Sequence, residues 1–196
     1  MLTKKNPTLV GTNFKTKDIL AHPHMRPKET AKRKDHSYLF THNLFSDLTN
    51  HYLITEQLAN DLQTAKENNQ VLTIFYLALN GLEHVRDIYG HSISDKARFI
   101  IVKYLKQILG TKAHLSHLSA NVYIASLIAE KNQLEIIDKT IKKIRLFSSE
   151  SIKLEGFTIK VGVCIGTTVY PIHGDKVGVL LDIAEKKCVS EKDHSP

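Results

Sequence analysis

The chain has 196 residues, 42% apolar and 24% charged, a balance that fits a soluble globular domain with a core of useful size. No apolar run approaches the roughly 20 residues needed to cross a bilayer, and the first 30 residues lack the apolar centre of a secretion signal, so a cytoplasmic protein is expected. The net charge of +7 suggests nucleic acid only until it is located: residues 1–40 hold nine basic and three acidic side chains, and the rest is almost neutral.

Residues 1–40 contain three of the five prolines (Pro7, Pro23, Pro27) and only brief apolar patches. Such a composition cannot offset the entropy of ordering, so a disordered basic tail is expected over 1–40 and one folded domain over 41–196. The run Lys32-Arg33-Lys34 is a candidate contact for nucleic acid or an anionic membrane, with a solvated charge cluster as the plainer reading. His22 and His24 have no further metal ligands nearby, and Cys164 and Cys188 have neither paired-metal spacing nor the density of a disulfide scaffold.

Asn50 is placed to cap a helix on which Leu53, Ile54, Leu58 and Leu62 share a face, ending near Lys66–Asn69. Val71–Ala78 is apolar throughout, as a central strand covered by helices would be. The stretch Leu79–Asp95 is a strand-to-helix crossover, with Gly90 supporting a left-handed turn and Ser92 with Asp95 forming a capping-box-like start. Ala97, Ile100, Ile101, Tyr104, Leu105 and Ile108 then recur at helical spacing until Gly110. A hairpin follows, His114–Leu118 and Val122–Ile128, with Asn121 expected in the left-handed turn conformation. His114 and His117 lie close in sequence but lack further ligands for a metal. A helix over 132–147 with Leu134, Ile137, Ile141 and Ile144 on one face, a strand Phe157–Gly166 and a helix from Lys176 complete the order. That order predicts an α/β (α+β) sandwich: a mixed central sheet, flanking helices and a β-hairpin at the ligand end.

The segment from Ala78 to Asp95 resembles the pattern D-x-D-x-F-K-x-I-N-D-x-x-G-H-x-x-G-D of the GGDEF family, the diguanylate cyclases that join two GTP molecules into cyclic di-GMP. Asp87, Gly90, His91 and Asp95 match, while Ala78, Asn80, Glu83, Arg86 and Ser94 depart from it. Leu48 and Asn50 are similar to part of the family's opening D-x-L-T-G-L-x-N-R motif, and Leu180-Leu181-Asp182-Ile183-Ala184-Glu185 with Lys192 is similar to its closing segment. The hairpin motif G-G-[DE]-E-F has Ser119-Ala120-Asn121-Val122-Tyr123 as its counterpart. The resemblance covers residues 43–195 and implies the same fold.

What it implies for chemistry is mostly loss. In the family a 3′-hydroxyl attacks an α-phosphate while metal ions on carboxylates hold the developing charge. Here the carboxylate positions are Ala78 and Asn121, and Val122 stands where the family keeps its second acidic hairpin residue, so no catalytic residue and no Mg²⁺ binding are expected. Glu83 replaces a phosphate-side lysine, inverting the charge there. Arg86, Asp95 and Lys192 are the candidates for residual nucleotide binding. For Asp95 a capping role, and for Lys192 a solvated surface position, are the plainer readings. The family's inhibitory R-x-x-D positions are Gly110 and Ala113, so that product site is also expected to be absent.

The leading expectation is an inactive GGDEF-like domain that regulates by binding a protein partner, such as a signalling enzyme, in bacterial cyclic di-GMP-type signalling. A non-catalytic sensor of GTP or another purine nucleotide, a residual diguanylate cyclase, and binding of nucleic acid or anionic membrane through the tail are the alternatives. No phosphodiesterase motif occurs, and nothing in the sequence sets the oligomeric state.

Overall fold

The structure is a computed structural model that describes residues 51–133 and 135–193 together with two short strands, β1 (His42–Asn43) and β2 (Leu48–Thr49). The tail expected over 1–40, the Asn50 cap and Leu134 lie outside the described residues. Along the chain follow α1 (His51–Glu67), β3 (Val71–Asn80), α2 (Leu82–Tyr89), α3 (His91–Leu109), β4 (Ala113–Ser119) and β5 (Val122–Ala129). After a 3₁₀ turn (Lys131–Gln133) come α4 (Glu135–Ser149), β6 (Ser151–Leu154), β7 (Phe157–Lys160), β8 (Gly162–Tyr170) and α5 (Val177–Asp193).

Six strands form one sheet in the order β1-β2-β4-β5-β3-β8, antiparallel except for the β2–β4 pair. β3 lies between β5 and β8, and helices cover both of its faces, which is why its sequence is a continuous apolar run. Phe75, Leu77 and Leu79 pack with α2, α3 and α4, while Leu72 and Ile74 pack with Ile54, Leu58 and Leu62 of α1 and Leu180 of α5. The fold is the mixed α+β sandwich expected from the order of elements.

Several local expectations are corrected. The crossover after β3 contains a helix of its own, α2, short enough that only Leu82 and Val85 mark its buried face. The expected Ser92–Asp95 capping box does not form: α3 begins at His91 directly after Gly90, with no side-chain cap. Gly90 has φ +85° and ψ 169°, a conformation essentially reserved for glycine, which turns the chain abruptly from α2 into α3. Ser94, where the resemblance expects glycine, is buried and donates from its hydroxyl to the Leu82 carbonyl at 3.0 Å, tying the two helices together.

The β4–β5 turn does not use a left-handed Asn121; among the described residues only Asn69 and Glu155 combine a side chain with positive φ. A register shift between His117 and Ser119 adjusts the hairpin instead. The single strand expected over 157–166 is divided at Val161. Its first part, β7, folds back on β6 around Glu155 (φ 51°) and Gly156 (φ 86°), the signature of a type I′ turn.

β8 has one free edge, and side chains cover it. The Val163 N–H donates to Ser148 Oγ at 2.8 Å, the Ile165 N–H to Glu191 Oε2 at 2.6 Å and the Val169 N–H to His173 Nδ1 at 3.0 Å, while Lys187 Nζ donates to the Thr167 carbonyl at 3.0 Å. Arg145 holds Glu191 in place through its Nη2 at 2.7 Å.

Candidate functional site

The C-terminal end of β3 brings three strands into one row. Ala78 stands opposite Val122 of β5 on one side and Cys164 of β8 on the other. None of the three side chains carries an oxygen. Asn80 Nδ2 donates to Cys164 Sγ at 2.8 Å, and Cys188 of α5 is buried beside it. Burial pushes the Cys188 thiol up to about 11, with Cys164 reinforcing the effect, although amide hydrogen bonds from Ala78 and Gly166 pull the other way. Ala78 and Val122 are half-buried and Cys164 is buried, and none of the three side chains carries a formal charge.

The β4–β5 hairpin ends over this row. Ser119 and Ala120 are exposed, and the Asn121 carbonyl accepts from the Leu79 N–H at 2.8 Å, stitching the turn to the end of β3. Tyr123 points into the core with its ring centroid 4.9 Å from that of His117. Burial pushes its hydroxyl up to about 12, only partly opposed by the charge of Arg98.

Arg98 is the residue that sequence reasoning passed over. Its Nη1 donates to Asp95 Oδ1 at 2.9 Å and its Nη2 to Asn121 Oδ1 at 3.3 Å, joining α3 to the hairpin turn. Its Nε is buried without a hydrogen-bond partner among the described residues. The available signal was the spacing, since a carboxylate and an arginine three residues apart share a helical face.

The structure thus brings Ala78, Asn121 and Val122 together and links Asp95 to Asn121 through Arg98. It keeps Arg86 apart: this side chain is exposed on α2, with Nε 3.4 Å from Asp87 Oδ1. Glu83 is exposed on the same helix, and the side chain of Lys192 lies outside the described residues.

A second polar cluster sits between α1 and the sheet. Asp61 is only 5% exposed and accepts from Ser126 Oγ at 2.5 Å and Gln57 Nε2 at 3.0 Å. His114 Nδ1 lies 3.1 Å from both carboxylate oxygens. A carboxylate on the apolar stripe of α1 was the sequence signal for it. His114 and His117 are three residues apart on a strand, so they project to opposite faces of the sheet and cannot share a metal.

Comparison with known proteins gives one family. Residues 41–195 match the profile described as diguanylate cyclase, GGDEF domain. Diguanylate cyclase TpbB of Pseudomonas aeruginosa is 24% identical over 148 residues, 74% of this chain and 33% of its own length. The chain spans only about a fifth to a third of the curated relatives it matches. A sensory box/GGDEF family protein from Caulobacter crescentus superposes with a TM-score of 0.72 at 17% identity, over 79% of this chain and 99% of that one. Diguanylate cyclase SiaD of Pseudomonas aeruginosa, solved in complex with its activator SiaC, superposes with a TM-score of 0.65 at 14% identity, over 78% and 58%.

Proposed function

The chain belongs to the GGDEF family of diguanylate cyclases, and from that premise we propose that it is a member without cyclase activity, regulating cyclic di-GMP signalling by binding a protein partner. The observation that carries the reading is the row Val122, Ala78, Cys164 at the end of β3, which offers no side-chain oxygen, and so no carboxylate, to a metal ion.

Mg²⁺ demands an octahedron of oxygens and is held in phosphoryl-transfer sites by carboxylates. Asn121 has an amide oxygen to offer, but the Arg98 guanidinium donates to that oxygen at 3.3 Å. A cation placed there would meet a positive charge within a few ångström, a repulsion of roughly 4 kcal/mol per unit of ionic charge at 4 Å and an effective dielectric of 20. The residues present do not suit a hard divalent ion.

Two features favour a protein partner. A domain of this fold, that of SiaD, is found with an activator protein. The surface beside α2 also carries apolar side chains: Ile88 is 55% exposed, and the 41%-exposed Phe157 packs on Tyr89 with ring centroids 4.8 Å apart.

The direct test is incubation of the purified chain with GTP and Mg²⁺, followed by chromatography for cyclic di-GMP. No product is expected, and accumulation of product would overturn the reading.

A further inference from the structure

The sheet separates two helical layers of opposite charge. On one face α3 and α4 pack side by side, with the Tyr104 and Phe147 rings stacked at 4.3 Å, and together carry eight basic side chains against three acidic ones. On the other face α1 and α5 carry four basic against seven acidic. A folded part that is almost neutral in total is therefore polarised across its sheet. Ala97, Ile101 and Leu105 of α3, and Ile137, Thr140 and Ile144 of α4, are buried, which turns the opposite stripe of each helix outward. Each outward stripe has one large apolar side chain set among lysines. On α3 it is Phe99, 40% exposed, with Lys96 three residues before it and Lys103 four after. On α4 it is Leu146, 63% exposed, with Lys142 and Lys143 one turn before it. Lys103, Lys142 and Lys143 make no hydrogen bond or ion pair among the described residues.

We propose that the α3–α4 face is a docking surface for an anionic lipid bilayer, on which the two helices lie flat. The proposal goes beyond the reading of the domain as an inactive cyclase and does not depend on it. Lysines on such a face gain from the negative surface potential of acidic headgroups, roughly fivefold in affinity for each one that reaches the surface. Phe99 and Leu146 then enter the boundary between headgroups and acyl chains and leave water. A nucleic acid would reward the lysines alone, since a phosphate backbone has no apolar phase to receive the aliphatic chain of Leu146. The acidic α1–α5 layer on the far side is repelled by the same potential, which fixes the face that points to the lipid.

The chain contains no tryptophan, so Leu146→Trp places a single fluorescent reporter on the face, and Val189→Trp, at a 52%-exposed position of α5, places one on the opposite layer. Each full-length variant is titrated with vesicles of phosphatidylcholine alone and with vesicles containing about one-third phosphatidylglycerol. The emission of Leu146→Trp is expected to move to the blue with the acidic vesicles only, and that of Val189→Trp to stay at its aqueous wavelength with both. Adding Lys142→Glu and Lys143→Glu to Leu146→Trp should weaken the apparent affinity at least about tenfold. An unshifted Leu146→Trp overturns the proposal even where the chain sediments with the vesicles, because the basic residues 1–40 are then the contact. A shift of Val189→Trp equal to that of Leu146→Trp overturns it too, and so does a blue shift that grows with protein concentration before lipid is added, which would mark a second copy as the occupant. Leu146→Ser separates lipid from a bare polyanion: vesicle binding should fall at least about threefold while binding to heparin stays as it was, and unchanged vesicle binding overturns the proposal. Should the double charge reversal melt below its parent, Lys142→Gln with Lys143→Gln serves. It should weaken binding in the same direction by less, and an unchanged affinity would overturn the proposal equally.

Discussion

The backbone of Gly166 runs so close beneath α5 that a methyl group on it would lie 1.7 Å from the Ala184 carbonyl oxygen and 2.7 Å from the Cys188 nitrogen. Both obstacles are backbone, so neither can swing aside. Gly166→Ala is expected to push α5 off β8 and cost about 3 kcal/mol or more, the upper end of the range for overpacked cores. Urea denaturation checks this, and a loss below about 1 kcal/mol would show that the helix can slide.

Gly90 presents the opposite situation. An added Cβ there meets nothing within 4 Å, yet φ is +85°. Gly90→Ala is therefore expected to cost about 1–3 kcal/mol through backbone strain alone, without perturbing the core. Its near-ultraviolet spectrum should match wild type while its denaturation midpoint falls.

The Asp61 cluster should behave as a coupled unit. Ser126→Ala removes a donor from a buried carboxylate and is expected to cost about 1.5–3 kcal/mol. Asp61→Ala should cost more, since it strands the buried Ser126 hydroxyl and frees His114. The double variant should lose less than the two single losses combined, and strict additivity would mean that the short Ser126–Asp61 contact contributes nothing.

Stability is expected to decline above about pH 9. Burial raises Cys188 from 9.0 to about 11 and Tyr123 from 10.0 to about 12. Burial, helped by the hydrogen bond to Glu185, likewise raises Tyr76 from 10.0 to about 12. Each group holds its proton more firmly folded than unfolded. Its contribution is therefore complete below the unfolded value and is lost as pH rises through the folded one, at no more than about 1.4 kcal/mol per pH unit per group. Urea melts across this window should show the fall. Cys188→Ala should flatten its first part between pH 9 and 10, and an unchanged slope would dissociate that thiol from the effect.

The large elements were legible because their signals are periodic: α1, α3 and α5 bury one stripe each, and β3 is apolar on both faces. What was missed depended on single residues or on distant contacts. α2 is too short to show a period, and β6 is four residues that acquire meaning only by pairing with β7. The absence of carboxylates at Ala78 and Val122 could be read directly, since a missing functional group needs no geometry. That Arg98 reaches Asn121, or Asp61 meets Ser126, could not, because 23 and 65 residues separate the partners.

The covered edge of β8 has a consequence for evolution as well as for shape. Sheet proteins with an open edge can recruit a neighbour through main-chain hydrogen bonds, which read little of either sequence and so change slowly. Here Ser148, Glu191, His173 and Lys187 use up that route along β8. Any partner docking on this side of the domain must recognise it through side chains, and point substitutions can rewrite such recognition while the scaffold beneath stays as it is.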